Sequence, residues 1–313
     1  SLLTIGVGAL VLYCSLGGAT YPWGSTIEWV ILAVGLVGSV GFVAAERRAV
    51  EPILPMRLFA NPTFRMIALL GFSVGFAMFG AMTFIPVFLQ IVQHVSTTAS
   101  GLHLLPMMAG MFATSIYSGQ MIARGSDYHK YPIIGTGLMV VGLCGFHFVT
   151  VTTSTLVLSL DMVVFGIGMG CVMQVMVIAV QNAVPYSDLG VATSGSTFFR
   201  SIGGTFGAAV FGAIYENVFP GNLTRALNGV PLPVGIEPAT LTPERVTQLP
   251  LEVQAGLAEA VAHSVATVFT WCIPIAVVAF IISWFVPRGT LSDRPRSFDQ
   301  HDLEVLDLAV GDF

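Results

Sequence analysis

Charged side chains are scarce in this sequence. Asp, Glu, Lys and Arg make up 9% of its 313 residues, against 55% hydrophobic residues and a mean hydropathy of +0.84. A soluble globular domain carries about 25% charged residues, so this chain has too few of them to build a water-facing surface. The composition therefore predicts an integral membrane protein.

Motifs for catalysis and metal binding are also missing. The four cysteines lie in separate apolar runs, and no set of Cys and His residues has the spacing of a zinc site, so neither a disulfide framework nor a zinc site is indicated. The sequence has no phosphate loop, nucleophile elbow or HExxH motif, and the glycine repeat at 166–170 lies inside an apolar run with no preceding strand. We expect a protein that is not an enzyme, with no cofactor, no metal and no nucleic-acid partner.

A leader sequence is not visible either. The chain begins at Ser1, without Met, directly in an apolar run. A secretory signal peptide would show basic residues and then a cleavage site. We therefore expect a fragment whose N-terminus lies upstream of Ser1.

Apolar runs, in contrast, are long and numerous. A membrane-spanning helix needs about 20 mostly apolar residues, and residues 66–123 contain no Asp, Glu, Lys or Arg. That stretch is too long for one helix, and the polar residues 93–98 divide it. With its two halves there are eight runs, the others being 2–17, 29–45, 131–151, 155–181, 193–215 and 264–286. We predict an all-α polytopic membrane protein with about eight transmembrane helices.

The distribution of Lys and Arg predicts the orientation. If successive gaps between the runs alternate sides, ten of the twelve basic residues fall on one side, and Arg225 and Arg245 fall on the other. Cytoplasmic loops carry the excess of positive charge, so the linker 46–65 and both termini are predicted to be cytoplasmic. Segment 217–263 is then external, and its residues 251–262 form either an amphipathic helix or part of a loop.

Asp161 is the one acidic residue deep inside an apolar run. An acidic side chain at the bilayer centre costs about 2.5–3.5 kcal/mol and usually faces a cavity or a partner. Asp161 lies six positions from the predicted outer end of its run, about 9 Å at 1.5 Å per residue. Two interpretations stay open: a carboxylate that binds a cation or proton, and an interfacial carboxylate hydrated from outside. His147 ends the preceding run and can meet Asp161 across the hairpin.

Uncharged polar and aromatic residues supply further candidates for a substrate path. Gln90 and Gln174 lie within or at the edge of apolar runs, where an amide binds a substrate or hydrogen-bonds a neighbouring helix. Phe72 and Phe76 share a helical face, and Met169 lies in a similar stripe of a later run. Aromatic and thioether side chains adapt to varied apolar ligands, although such stripes also serve as core or lipid-facing surface.

Arg200 is predicted at the cytoplasmic end of the seventh run, where its side chain can reach the interface. The small residues that follow, among them Gly203 and Gly204, allow close contact between helices. We expect a structural or gating role for these three residues.

Several short segments follow one another in a specific order along nearly the whole chain. They are 21–25 (YPWGS), 46–48 (ERR), 51–55 (EPILP), 58–59 (LF), 86–90 (PVFLQ), 101–106 (GLHLLP) and 185–215. Each segment alone is a weak signal, but their combination in this order resembles one known family, the fourteen-helix drug/proton antiporters of the major facilitator superfamily (EmrB/QacA type).

By this resemblance the eight predicted helices correspond to helices seven to fourteen of the family. Residues 1–45 are then two inserted helices, and 46–65 are the cytoplasmic linker. Residues 66–287 are the C-terminal six-helix bundle of the major facilitator fold, and 288–313 are a cytoplasmic tail. The family's main proton-coupling acids lie in the six N-terminal helices, which this chain lacks.

The sequence departs from the family pattern at two places. The cytoplasmic loop motif, roughly GxxxDRxGRR, falls on residues 119–130, where Gly119 and Arg124 match but Ala123 replaces the acid. This change weakens a gating role for Arg124. His94 stands where glycine is usual.

The resemblance implies a secondary active transporter of the bacterial cytoplasmic membrane, exporting drugs or other amphiphilic small molecules in exchange for protons. The expected partners are the lipid bilayer, the substrate, protons and the missing N-terminal six-helix half. The alternatives are an exporter of a specific metabolite, lipid or peptide, and an inactive half or non-transporting membrane partner.

Overall fold

The computed structural model describes residues 2–17, 20–21, 24–49, 52, 54–228 and 249–288. Within these residues there is no β-strand, and Gly17 and Tyr21 form an isolated bridge. Short 3-10 turns at Met56–Ala60 and Tyr186–Asp188 precede the third and the eighth helix. The helices of the described residues are α1 (Leu2–Leu16), α2 (Thr26–Glu46), α3 (Pro62–Ile91), α4 (Thr97–Leu102), α5 (Leu105–Ala123), α6 (Lys130–His147), α7 (Thr155–Ala183), α8 (Leu189–Leu227) and α9 (Leu251–Trp284).

Side-chain caps explain where four of these helices begin. Ser25, Asn61, Ser96 and Ser154 precede α2, α3, α4 and α7, and each accepts a hydrogen bond from a backbone N–H of the first turn. Such bonds satisfy N–H groups that have no partner within the helix. Pro62 then opens α3, at a position where no N–H is needed.

Five stretches are long and apolar enough to cross a membrane: α2, α3, the unit 97–123 that joins α4 and α5, α7 and α9. The helix α1 is apolar but shorter. The chain is therefore a polytopic helical membrane protein, and each of the eight apolar runs overlaps a helix of 15 or more residues. That α1, α6 and α8 also cross the membrane stays a prediction.

The turn between α3 and α4 passes through His94, whose backbone φ of 54° lies in the left-handed region. Glycine adopts this region readily, and glycine is usual at this position in the family that the sequence resembles. An L-residue there costs about 1–2 kcal/mol. His94 therefore adopts this turn at some cost in conformational energy that glycine would avoid.

The segment 217–263, predicted to be an external loop, is helical at both ends. α8 has 39 residues and continues to Leu227, and α9 has 34 residues and begins at Leu251. Val253 and Leu257 are buried, so residues 251–262 form the packed start of α9 instead of a separate surface helix. The middle of this segment and the tail from 289 onward lie outside the described residues.

The helices α3 and α7 are central. In each, 61% of the most apolar 18 residues are buried, against 17% in α2. α3 packs on α8 and α9, α7 packs on α5 and α6, and α9 connects the two groups through α6 and α8. α1 and α2 pack on each other, and α1 also contacts α8. Five of the candidate residues lie where α3 and α8 meet: Phe72, Phe76, Arg200, Gly203 and Gly204.

Candidate functional site

Glycine allows α8 to lie directly on α3. A Cβ atom at Gly203 would be 2.1 Å from the carbonyl oxygen of Phe72, and one at Gly207 would be 2.3 Å from that of Phe76. A Cβ at Gly204 would be 2.4 Å from the ring of Phe79. All three distances are far below van der Waals contact. Gly203 and Gly204 therefore hold the backbone of α8 against the part of α3 that carries these aromatic rings.

Phe72, Phe76 and Phe79 form an aromatic face along one side of α3. Phe72 and Phe76 are half-buried, and Phe79 is 38% exposed. The ring centroids of Phe72 and Phe76 are 6.0 Å apart, and the ring of Phe206 on α8 lies 6.3 Å from that of Phe72. Because the rings are only partly covered by the described residues, this face has free apolar surface.

Arg200 lies at mid-depth in the bundle. It follows Leu189, the first residue of α8, by 11 residues, about 16 Å along the helix. A Cβ at Gly75 of α3 would be 2.1 Å from the carbonyl oxygen of Arg200 and 3.2 Å from its Cγ. Gly75 is residue 14 of the 30 in α3. The sequence predicted Arg200 at the end of its span, and the structure places it deeper because α8 starts before the apolar run.

The guanidinium of Arg200 has a thioether as its partner. Its Nη1 lies 2.8 Å from Sδ of Met173 on α7. Among the described residues the ion pairs are Arg57–Asp188 and Glu259–His263, so no carboxylate there pairs with Arg200. A thioether sulfur is only a weak acceptor. A charge at this depth costs about 2.5–3.5 kcal/mol on insertion scales and usually faces the bundle interior or a water-filled cavity.

The two glutamine candidates bond neighbouring helices. Oε1 of Gln174 on α7 accepts a hydrogen bond of 3.3 Å from Oγ of Ser115 on α5. Nε2 of Gln90 donates to Oγ of Ser100 on α4 over 2.9 Å. Both glutamines are half-buried. Gln174 follows Met173, the methionine that contacts Arg200. Gln90 lies near the C-terminal end of α3, away from the contact of Arg200 with Gly75.

Met169 and Asp161 lie apart from the aromatic face. Met169 is 1% exposed and is enclosed in the core. The carboxyl group of Asp161 lies against α6, where a Cβ at Gly145 would be 2.5 Å from Oδ1. Asp161 precedes Met173 by twelve residues on α7, about 18 Å. The carboxylate is therefore too far along the helix to neutralise Arg200.

Asp161 and His147 do not pair in the structure. Nδ1 of His147 is 2.8 Å from Oγ1 of Thr270 on α9. Asp161 is half-buried and has no hydrogen bond or ion pair within the described residues. The structure thus brings His147 to α9 and leaves the carboxylate of Asp161 unpaired in this part of the chain.

Arg124 is the C-cap of α5 and is exposed. The next residue, Gly125, has a φ of 91°, a left-handed conformation that glycine adopts without strain. In the same loop Tyr128 is 6% exposed, and its burial, together with the nearby charge of Asp127, raises the pKa of the phenol. The phenol of Tyr128 therefore stays protonated at neutral pH.

Two polar contacts join the segment before α3 to the turn between α7 and α8. Nη2 of Arg57 is 2.6 Å from Oδ1 of Asp188, and Nδ2 of Asn61 donates to the carbonyl oxygen of Ala183 over 2.6 Å. Arg57 and Asp188 are 131 positions apart in the sequence. No sequence pattern points to these contacts, because the fold alone brings the partners together.

A polar cleft of about 850 Å³ between the facing ends of α8 and α9 was also missed. Asn222 donates to Oγ of Ser264 over 2.9 Å, and Nε2 of His263 is 3.9 Å from Oε1 of Glu259. Arg225 lines the same cleft. Sequence reasoning assigned Asn222, Arg225, Glu259 and His263 to the one external segment 217–263 and Ser264 to the last apolar run, so it did not place them opposite one another.

Known proteins share much of this sequence. Residues 2–208 match the family model of the Major Facilitator Superfamily. An uncharacterized MFS-type transporter of Mycobacterium tuberculosis is 41% identical over 93% of this chain and 42% of its own length. The multidrug transporter protein MdtP of Bacillus subtilis is 35% identical over 98% of this chain and 61% of its own length. A tetracycline resistance determinant of Streptomyces rimosus is 34% identical over 67% of this chain and 61% of its own length.

The chain thus spans between 42% and 61% of the length of these relatives. Among solved structures, a bacterial homolog of the human lysosomal transporter Spinster, in an inward-facing and occupied conformation, matches with a TM-score of 0.55. The match has 19% sequence identity and covers 93% of this chain and 67% of that one. At this identity the likeness concerns the fold.

Proposed function

The chain belongs to the major facilitator superfamily, and from this premise we propose that it is part of a secondary active transporter that exports drugs or other amphiphilic small molecules. Two of its relatives are named as a multidrug transporter and a tetracycline resistance determinant. The superfamily consists of transporters and not of enzymes. The observation that carries the proposal is the family match over residues 2–208.

In this proposal the chain supplies helices seven to fourteen of a fourteen-helix, proton-coupled exporter. The relatives are longer than this chain, which leaves room for six further helices. The packing agrees with such a division, because α1 and α2 mainly contact each other while α3 and α5–α9 form a bundle. The exporter lies in the cytoplasmic membrane with the linker 46–65 on the cytoplasmic side.

The substrate contacts the aromatic face in this proposal. Alternating access moves two halves of a transporter around a site near the bilayer midplane, and α3 crosses that depth. Partly exposed phenylalanine rings adapt to apolar ligands of different shapes. Gln174 lies at a comparable depth and offers an amide for hydrogen bonding. Met169 is left out of the proposed surface because it is enclosed in the core.

The test is export by the proposed fourteen-helix protein, in which this chain is joined to six N-terminal helices. Everted membrane vesicles with an imposed pH gradient are expected to accumulate a fluorescent amphiphile, and nigericin, which collapses the gradient, is expected to stop the accumulation. Replacing Phe72 and Phe76 together by Ala is expected to lower the accumulation rate severalfold, since the substrate loses apolar contact area.

Phe148→Ala is the matched control, because Phe148 is the C-cap residue after α6 and is 75% exposed. It is expected to leave the rate unchanged. If the vesicles accumulate the amphiphile at the same rate with and without a pH gradient, proton coupling is wrong. Equal losses in the control and the double variant would remove the aromatic face.

Asp161 is proposed as a proton-linked carboxylate of this half. Its carboxylate is unpaired within the described residues and lies near the N-terminal end of α7. The family's main coupling acids belong to the other half of the proposed transporter. Asp161→Asn is expected to lower the number of protons moved per substrate, with protein abundance held equal. Normal proton flux in this variant, with only less protein in the membrane, would assign Asp161 to folding alone.

A further inference from the structure

We propose that Arg200 binds an anionic group of the transported molecule, so that this exporter favours amphiphiles that carry a carboxylate beside their apolar part. The inference rests on the proposed function and names the substrate class for it. It is carried by the position of Arg200, by the partners of its guanidinium and by the apolar surface beside it.

The position of Arg200 makes it a charge inside the bundle. Its backbone and Cγ contact Gly75 in the middle of α3, and the carbonyl oxygen of Arg200 fills the space that a side chain at position 75 would need. A residue in such close contact with α3 cannot withdraw to a membrane surface without separation of the two helices. The guanidinium therefore stays at the depth at which alternating access exposes a substrate.

The guanidinium also lacks strong partners. Arginine presents five N–H donors in a planar fork, and the described residues satisfy one of them with the Met173 sulfur. The side chain is half-buried, which leaves part of it accessible. A carboxylate matches this fork with two parallel hydrogen bonds, which are strongest where water is excluded. An anionic ligand group would therefore complete the bonding that the chain itself leaves open.

Apolar surface for the rest of the ligand lies one turn away. Arg200 contacts Gly75, three residues after Phe72, and Gly203, three residues after Arg200, contacts the backbone of Phe72 itself. The cationic group and the aromatic face thus belong to the same pair of helices at one depth. No carboxylate of the described residues pairs with Arg200, and Asp161 lies about 18 Å from Met173 toward the start of α7.

The experiment compares three probes of one shape: pyrenebutyrate, 1-pyrenebutanol and pyrenebutyl-trimethylammonium. Their affinities for the purified fourteen-helix protein of the proposed function are measured by pyrene fluorescence, and their export is measured in proteoliposomes. The wild type is expected to bind the carboxylate about tenfold more tightly than the alcohol, the effect of one charge-assisted hydrogen-bonding group. The ammonium probe is expected to bind most weakly.

Arg200→Gln is expected to remove the preference for the carboxylate and to leave the affinity for the alcohol unchanged. Arg200→Lys keeps the charge without the fork, so an intermediate preference is expected. Arg225→Gln, on an exposed arginine near the end of α8, is the matched control and is expected to keep the full preference. The wild-type ratio tests the inference even where a variant does not fold.

Equal affinity of the wild type for carboxylate and alcohol would overturn the inference. An equal loss for all three probes in Arg200→Gln would overturn it as well, and would indicate that Arg200 pairs with a carboxylate of the other half. Export of the alcohol or ammonium probe in either case would leave the proposed function standing. Failure to export any probe would count against both.

Discussion

In both the α1–α2 hairpin and the six-helix bundle, glycine lets neighbouring helices approach closely, but the two regions bury different fractions of their apolar residues. A Cβ at Gly6 of α1 would be 2.7 Å from the backbone nitrogen of Ser39 on α2, and the glycines of α8 approach α3 just as closely. Yet 17% of the most apolar stretch of α2 is buried, against 61% in α3. Close contact alone therefore does not enclose a helix.

The number of neighbours makes the difference. α3 contacts α7, α8 and α9, whereas α2 packs on α1. In lipid there is little hydrophobic drive between helices, so stability depends on the packing of each contact. A helix with several contacts can lose one only by disturbing the others, whereas the hairpin can open alone. We expect the two regions to lose their structure separately.

The largest effect is expected in the bundle, from Gly203→Ala. The new methyl group would lie 2.1 Å from the Phe72 carbonyl oxygen, and the forced separation of α3 and α8 is expected to cost about 3 kcal/mol. Cys272 of α9 is fully buried and reports the opening. Alkylation of Cys272 by a maleimide during heating, followed by mass spectrometry, is expected at a clearly lower temperature.

Gly212→Ala is the control for this variant, since a Cβ at Gly212 on the same helix would meet nothing within 4 Å. It is expected to stabilise α8 slightly, because alanine favours helix more than glycine does. Equal destabilisation by both substitutions would mean that the close approach at Gly203 is not what holds α8.

A smaller and local effect is expected in the hairpin, from Gly38→Ala. Its methyl group would lie 2.8 Å from Cα of Gly6, which costs about 1–2 kcal/mol. Cys14 of α1 is expected to react with maleimide at a lower temperature, while the reaction of Cys272 stays unchanged. Gly8→Ala, with nothing within 4 Å, is expected to lower neither reaction temperature. Earlier reaction of both cysteines in Gly38→Ala would show that hairpin and bundle unfold together.

The smallest effect is expected where the two regions are joined. Arg57 is 70% exposed, so its ion pair with Asp188 is expected to contribute less than about 1 kcal/mol. Arg57→Gln is expected to lower the temperature of Cys14 alkylation by a degree or two at low salt. At 1 M salt the difference is expected to vanish, because the ions screen the pair. A large effect that persists in salt would assign the linker a structural role beyond this contact.

The sequence predicted the start of a helix well where an apolar run begins directly after a capping residue. The run from Thr155 starts with the helix itself, because Ser154 caps it. The run that begins near 193 does not, since α8 already starts at Leu189, directly after the short turn Tyr186–Asp188. Because the apolar run starts later than the helix, the sequence placed Arg200 nearer the end of α8 than the structure does. Its true environment depends on Gly75 and Met173, which lie on two other helices and leave no periodic signal around position 200.

The pairing of the candidate residues was equally beyond the sequence. The predicted hairpin allowed Asp161 to meet His147, but the imidazole is bonded to Thr270 of α9, a helix more than 100 positions away. Gln174 was visible as a polar residue in an apolar run, but only the fold joins it to Ser115. Contacts between distant helices depend on the order of packing, which composition and periodicity do not encode.

The length of α8 has a mechanical consequence. From Leu189 to Phe219 it contains no proline, and these 31 residues span roughly 46 Å, more than the hydrocarbon thickness of about 30 Å. A straight rod of that length acts as a lever: a 10° tilt about one end displaces the other by roughly 8 Å. If α8 tilts about its first end, a small displacement of the backbone at Ser194 is therefore accompanied by a displacement of several ångströms at Asn217. Spin labels at these two positions would keep a constant separation if the rod is rigid, while their distances to a label on α1 changed unequally.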